Sequence, residues 1–262
     1  MASRNVIILQ LRNPVGKEEP LPVLRVYDDI HMLRLKRAFF EDTLRQAARV
    51  ENSDIKIAVA PPSRGIWGKE AIANLVERHR EGCAFSTLAG RTEIIGQGVA
   101  PIDERSAENL QMALTAGYKN IVLMSGYVPT VRSEQLVGAF TYLSEHPIVL
   151  GPTIEGGCYL VGLRSDCPEA AGLISIGTDT SYRDSTEALG KRKLKWQEID
   201  LSYDISHQED IEFIVREINH ARFIGDEEIG LCTEAILSEF MNEPEKKSQD
   251  AANGRKRSTH DE

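Results

Sequence analysis

The chain has 262 residues, of which 41% are hydrophobic and 27% charged, and its formal net charge is −9. That length allows one large domain or two small ones, and no apolar run approaches the roughly 20 residues a membrane span needs. The acidic balance argues against general affinity for nucleic acid, which requires a basic face.

The N-terminus passes directly from a polar start (Met1 to Asn5) into the short apolar run VIIL. A signal peptide needs a longer apolar region and a small-residue cleavage site, so the first strand of a cytoplasmic protein is expected, over Asn5 to Leu11. Pro14 to Asp29 reads as loop. His31 to Val50 carries Leu33, Leu35, Ala38, Phe39, Leu44 and Ala47 near helical spacing and predicts the first long helix. Ile55 to Ala60 is a strand stopped by Pro61-Pro62. Lys69 to Arg80 is helical, and Ala84 to Ile95 a weak strand and turn region. Ser106 to Ala116 returns to helical spacing, with Gly117 as its stop.

The richest stretch runs from Asn120 to Arg164. The apolar run Ile121 to Met124 breaks into Ser125-Gly126, then Pro129, then a helix-period segment. A second run, Ile148 to Leu150, breaks into Glu155-Gly156-Gly157 before Tyr159-Leu160-Val161. Strand, crossover helix, strand is the pattern of a parallel βαβ unit. In open sheets of this kind, loops leaving the carboxyl ends of the strands build the ligand site. Ser125 to Pro129 and Gly151 to Gly157 are therefore the expected site segments.

Thr180 to Leu189 predicts a helix and Trp196 to Leu201 a strand. The basic cluster Lys191-Arg192-Lys193 with Lys195 reads as a solvated helix end. Ser206 and Glu209 have the spacing of a capping box, opening a helix over Gln208 to Phe223 with Ile211, Ile214, Val215 and Ile218 on one face. Asp226 to Phe240 is the last helix. From Asn242 onward the sequence holds too little apolar surface to offset ordering entropy, which predicts a disordered charged tail over 242–262 behind one α/β domain over 1–241. The four cysteines (Cys83, Cys158, Cys167, Cys232) are scattered without a CxxC pair, as expected of free thiols rather than a zinc ribbon or disulfide framework.

Several segments together resemble one family. Arg37-Ala38-Phe39-Phe40-Glu41-Asp42-Thr43-Leu44 and Ala60-Pro61-Pro62 match its first helix and second strand end. Val149-Leu150-Gly151-Pro152 leading to Glu155-Gly156-Gly157-Cys158-Tyr159-Leu160-Val161-Gly162-Leu163 resembles its VLGP…DGGYYLIGL. Gly177-Thr178-Asp179 resembles its GTD, and the stretch Tyr203 to Asp210 its YDVDTPED. The family is the bacterial "domain of unknown function 2064" group, also described as selenodomain-associated transferases and similar to nucleotide-diphospho-sugar transferases. The resemblance covers the chain to about Phe223 and implies a Rossmann-like GT-A fold with a mostly parallel sheet, and a nucleotide-activated donor. It also implies Mg²⁺ or Mn²⁺ as cofactor.

The departures fall on the chemistry. The family's PVPGRVKTRL loop becomes Asn13-Pro14-Val15-Gly16-Lys17-Glu18-Glu19, without its basic element. Gly126 stands where the family's Ser-Asp-Cys-Pro has aspartate. Ser206 stands where its second late aspartate would be. Hard divalent cations want carboxylate oxygens, so metal binding is expected to be weak or absent.

Among individual residues, Glu155 and Asp204 are the expected catalytic acids; Asp204 reads equally as a metal ligand, a general base or a helix-capping group. Gly156 and Gly157 permit close approach to a ligand, against the plainer reading of a turn needing positive φ. Ser125, Gly126 and Tyr127 line the expected pocket, although Tyr127 could instead fill space vacated by a metal and phosphate. Arg105 matches a basic residue of the family's GDLGERM-like segment and is a substrate-contact candidate, while Asp103 and Glu104 suit a helix N-terminus. Lys17 reads as surface loop, and His31 and His207 receive no catalytic role. Three functions follow: a glycosyltransferase-like enzyme, a catalytically inactive ligand- or partner-binding member, or a nucleotidyltransferase.

Overall fold

The computed structural model describes residues 5–11, 29–59, 69–81, 91–98, 100–203 and 208–242. Its centre is a seven-stranded sheet in the order β3-β2-β1-β4-β6-β5-β7. The strands are β1 (Asn5–Leu11), β2 (Ser53–Val59), β3 (Thr92–Gly96), β4 (Asn120–Ser125), β5 (Ile148–Pro152), β6 (Cys158–Arg164) and β7 (Gln197–Glu198). β6 alone runs antiparallel to its neighbours. β1, β2 and β4 are inner strands, and their near-continuous apolar runs suit strands covered on both faces.

The helices are α1 (Asp29–Ala48), α2 (Lys69–Glu81), α3 (Ile102–Thr115), α4 (Ser133–Glu145), α5 (Ser181–Arg192), α6 (Gln208–Phe223) and α7 (Leu231–Asn242), with a 3₁₀ turn at Pro168–Gly172. Strand alternation sorts the core into two layers. Ile7, Leu9 and Leu11 face Phe40 and Leu44 of α1, Leu75 of α2 and Leu136 of α4. Val6 and Ile8 face the other way, toward Leu110 of α3, Ala170 of the 3₁₀ turn and Leu189 of α5. A third cluster lies outside α1, where Met32, Leu35 and Phe39 pack on Ile211, Ile214 and Ile218 of α6 and Leu237 of α7.

Several expectations change in detail. β4 and β5 are parallel but not adjacent, because the turn after β5 returns at once and inserts β6 between them. A connection that short can only reverse direction. Val215 is exposed on α6, and the buried stripe continues instead from Ile211, Ile214 and Ile218 to Ala221. The last helix starts at Leu231: the Asp226 carboxylate accepts the Glu228 amide at 3.0 Å and Gly230 takes φ +63°, so this stretch turns before the helix begins. Gly117, at φ +85°, does stop α3: its amide and that of Tyr118 bond back to Leu114 and Ala113. β7 has two residues, continued by a bridge between Thr153 and Ser202. Lys191, Arg192, Lys193 and Lys195 are exposed at and beyond the end of α5. Lys17, the Pro61-Pro62 stop, Ser206, His207 and the 243–262 tail lie outside the described residues.

Candidate functional site at the carboxyl edge of the sheet

Because β6 alone is reversed, the carboxyl ends of the other strands open along one edge. The β4–α4 connection and the β5–β6 turn both lie there. Ser125 ends β4 in register with Gln10 of β1, while Met124 pairs with Leu160 of β6. The first half of β6, at Leu160, is therefore one strand spacing from the end of β4, about 5 Å.

Gly126 is held in a tight place. Its amide donates to the Gln10 carbonyl at 3.0 Å, and a Cβ built on it would stand 2.3 Å from Leu11 Cδ2. The next amides continue the anchoring: Tyr127 N–H donates to Ser125 Oγ at 3.2 Å and Val128 N–H to Thr43 Oγ1 of α1 at 3.0 Å. The Tyr127 ring packs against the core under α1 and against the outer α1–α6–α7 cluster, with the Lys36 ammonium 5.6 Å from its centroid.

The turn from Thr153 to Gly157 is a closed hydrogen-bonded unit. Thr153 N–H donates to the Gly157 carbonyl at 2.8 Å, and Gly157 N–H donates to Thr153 Oγ1 at 3.0 Å. Gly156 has φ +97°, and a Cβ there would lie 3.0 Å from the Asp179 carbonyl. A Cβ on Gly157 would lie 2.7 Å from the Thr178 carbonyl. Thus the space these glycines leave is occupied by the Gly177-Thr178-Asp179 segment leading into α5. Ser181 locks that contact: its Oγ accepts Cys158 N–H and donates to the Thr178 carbonyl, both at 2.8 Å. Glu155, at the turn, is half-buried. On the other flank, Ile154 N–H donates to the Ser202 carbonyl at 3.0 Å, so the chain leaving β7 runs beside the turn. Asp204 lies outside the described residues.

Arg105 is buried in the first turn of α3, with Nη1 3.5 Å from Gln97 Oε1 just past β3. Pro101 takes the N-cap and no side chain caps the helix; Asp103 and Glu104 are exposed in its first turn. Below it lies a buried polar network that motif reading did not single out. Asn109 donates to Gln10 Oε1 at 3.0 Å, and Gln10 Nε2 approaches the Ile102 carbonyl at 3.3 Å and Ser106 Oγ at 3.4 Å. Its visible signal was Gln10, a polar residue inside the apolar run NVIILQL. His31 packs edge-on against Phe240, away from these groups.

For a divalent cation, Gly126 supplies no oxygen and its side-chain space is taken by Leu11. Among the described residues no three His, Cys, Asp or Glu side chains gather into a group that could hold a metal. The described residues do not fit the ion. A separate groove on the outer side of α3, lined by Glu108, Gln111, Met112, Thr115 and Gly172, lies toward the far end of that helix.

Comparison with known proteins agrees with this architecture. The profile of the family described as "Uncharacterized protein conserved in bacteria (DUF2064)" matches residues 43–178. The chain belongs to this family. The DUF2064 chain shares its fold with a Desulfovibrio desulfuricans G20 protein provisionally described as a nucleotide-diphospho-sugar transferase. The TM-score is 0.68 at 23% identity, covering 91% of this chain and 98% of that one. It also resembles 4-diphosphocytidyl-2C-methyl-D-erythritol synthase from Anaerococcus prevotii DSM 20548, with TM-score 0.50, 12% identity, and 80% and 93% of the two chains covered. No curated protein matches the sequence. These likenesses establish the α/β fold that the chain shares with those proteins. Among the described residues, no helix is long and apolar enough to cross a membrane.

Proposed function

We propose that this DUF2064 protein is a glycosyltransferase-like member of the nucleotide-diphospho-sugar transferase fold group, taking a nucleotide-activated small molecule at the carboxyl edge of its sheet. What supports this reading is the arrangement of two turn-rich segments, 125–128 and 153–157, side by side where open α/β sheets hold their ligands. Ser125, Gly126, Tyr127, Gly156, Gly157 and Arg105 would line the donor, and Glu155 and Asp204 would supply the acidic groups. Gly126 favours a second reading, a member that binds such a compound without transferring its group, because the position carrying the family's aspartate is packed against Leu11.

Thermal shift with UDP-, GDP- and CDP-linked sugars, with and without Mn²⁺, separates the two readings. A rise accompanied by loss of the donor in solution supports transfer. A metal-independent rise with the donor intact supports binding alone, and no rise with any nucleotide overturns both. Titration of Mn²⁺ alone is expected to give no micromolar binding; micromolar, nucleotide-enhanced binding lost in Asp204→Ala would contradict the weak metal site.

A further inference from the structure

The α6–α7 hairpin lies beyond residues 43–178, which the family profile matches, and its inner side chains rest on α1 rather than on the sheet. Its turn nevertheless reaches the β4–α4 connection. Arg132, at the N-cap of α4, donates from Nη1 to Asp226 Oδ2 at 3.2 Å. The other oxygen of Asp226 accepts the Glu228 amide, and the Glu228 carboxylate takes Arg45 Nη2 of α1 at 2.6 Å. A second line runs through α1. Asp42 accepts the amides of Cys232 and Thr233 at 2.8 Å and the Thr233 hydroxyl at 2.6 Å, fixing the start of α7. Its neighbour Thr43 accepts the Val128 amide, and Gln46 Oε1 accepts the Ser133 amide at 3.2 Å. The Tyr127 ring touches both clusters that flank α1.

We propose that the α6–α7 hairpin is a brace for the β4–α4 connection, with Arg132 and Asp226 as positioning residues. Gly126 has no side chain with which to anchor this connection. The stretch bearing Ser125, Gly126 and Tyr127 is therefore held from below by β1 and from outside by residues 226–233. Both partners of the Arg132–Asp226 pair are about 70% buried, with side-chain exposures of 27% and 30%, so solvent screens the pair only in part. The brace concerns the loop of the proposed site, but its test needs no nucleotide and stands or falls apart from that reading.

The test is site-resolved amide hydrogen exchange on the full chain. In Asp226→Ala and in Arg132→Gln, exchange at Val128 and Val131 is expected to accelerate about three- to tenfold, with β1 and β2 amides unchanged. Asp226→Glu is expected to restore most of the protection. Unchanged exchange at Val128 and Val131 in both variants would overturn the brace. So would acceleration spread evenly over the strands, which would mark a general loss of stability.

Discussion

Gly126 is the residue that divides the two proposed readings. Its missing side chain is a packing requirement of the present fold, since the methyl of Leu11 fills the space where a Cβ would project. Introducing by Gly126→Asp the aspartate that the resemblance implies is expected to destabilise the protein by about 1–3 kcal/mol, as overpacking does, because Leu11 must leave its rotamer. A denaturant midpoint unchanged from wild type would show that Leu11 yields freely and that the glycine has another cause. Cys158 gives a second prediction at this scale. Burial pushes its thiol up to about 12, so almost no thiolate exists at pH 8, and reactivity would rise only as pH approaches that value. Alkylation at pH 8 followed by peptide mapping should leave Cys158 unmodified in the native protein and label it fully in denaturant. Rapid native labelling would contradict the buried placement of β6's first residue.

Asp42 joins α1 to the start of α7 through three hydrogen bonds. Burial raises its carboxyl above the ordinary aspartate value, while the Thr233 hydroxyl and the two backbone amides pull it back. Asp42→Ala leaves those donors without their acceptor and is expected to cost about 3 kcal/mol, read from chemical unfolding. A loss under about 0.5 kcal/mol, the range of an ordinary surface substitution, would show that α7 is held by its apolar contacts alone. Elements were legible where local pattern alone specified them. β1, β2 and β4 announce themselves as apolar runs because both their faces are covered, and α1 and α3 through their periodicity. The insertion of β6 between β4 and β5 was not legible, since strand order is a tertiary choice that no local period encodes. Nor was the partner of Gly156 and Gly157: the turn signal was plain, but the backbone filling their space comes from residues 178 and 179, some twenty positions further on. Thr43 and Gln10 were visible only as polar residues at apolar positions, which marks a buried hydrogen bond without naming its partner.

At the scale of the molecule, a sheet with one reversed strand gathers the β4–α4 connection, the β5–β6 turn and the first turn of α3 at one edge, and a polar network at Gln10 ties α3 to β1 there. The fold is a mostly parallel α/β sheet flanked by helices, but a fold hosts many chemistries, and the site must be tested where it stands. The most direct measurement is amide hydrogen exchange of the full-length protein with saturating UDP-, GDP- or CDP-linked sugar. If the carboxyl edge holds the nucleotide-activated compound, one of the three should slow exchange at residues 125–128 and 153–157 together, leaving the outer side of α3 unchanged. Protection confined to the groove along Glu108, Gln111 and Gly172, or none with any of the three, would contradict the proposed site.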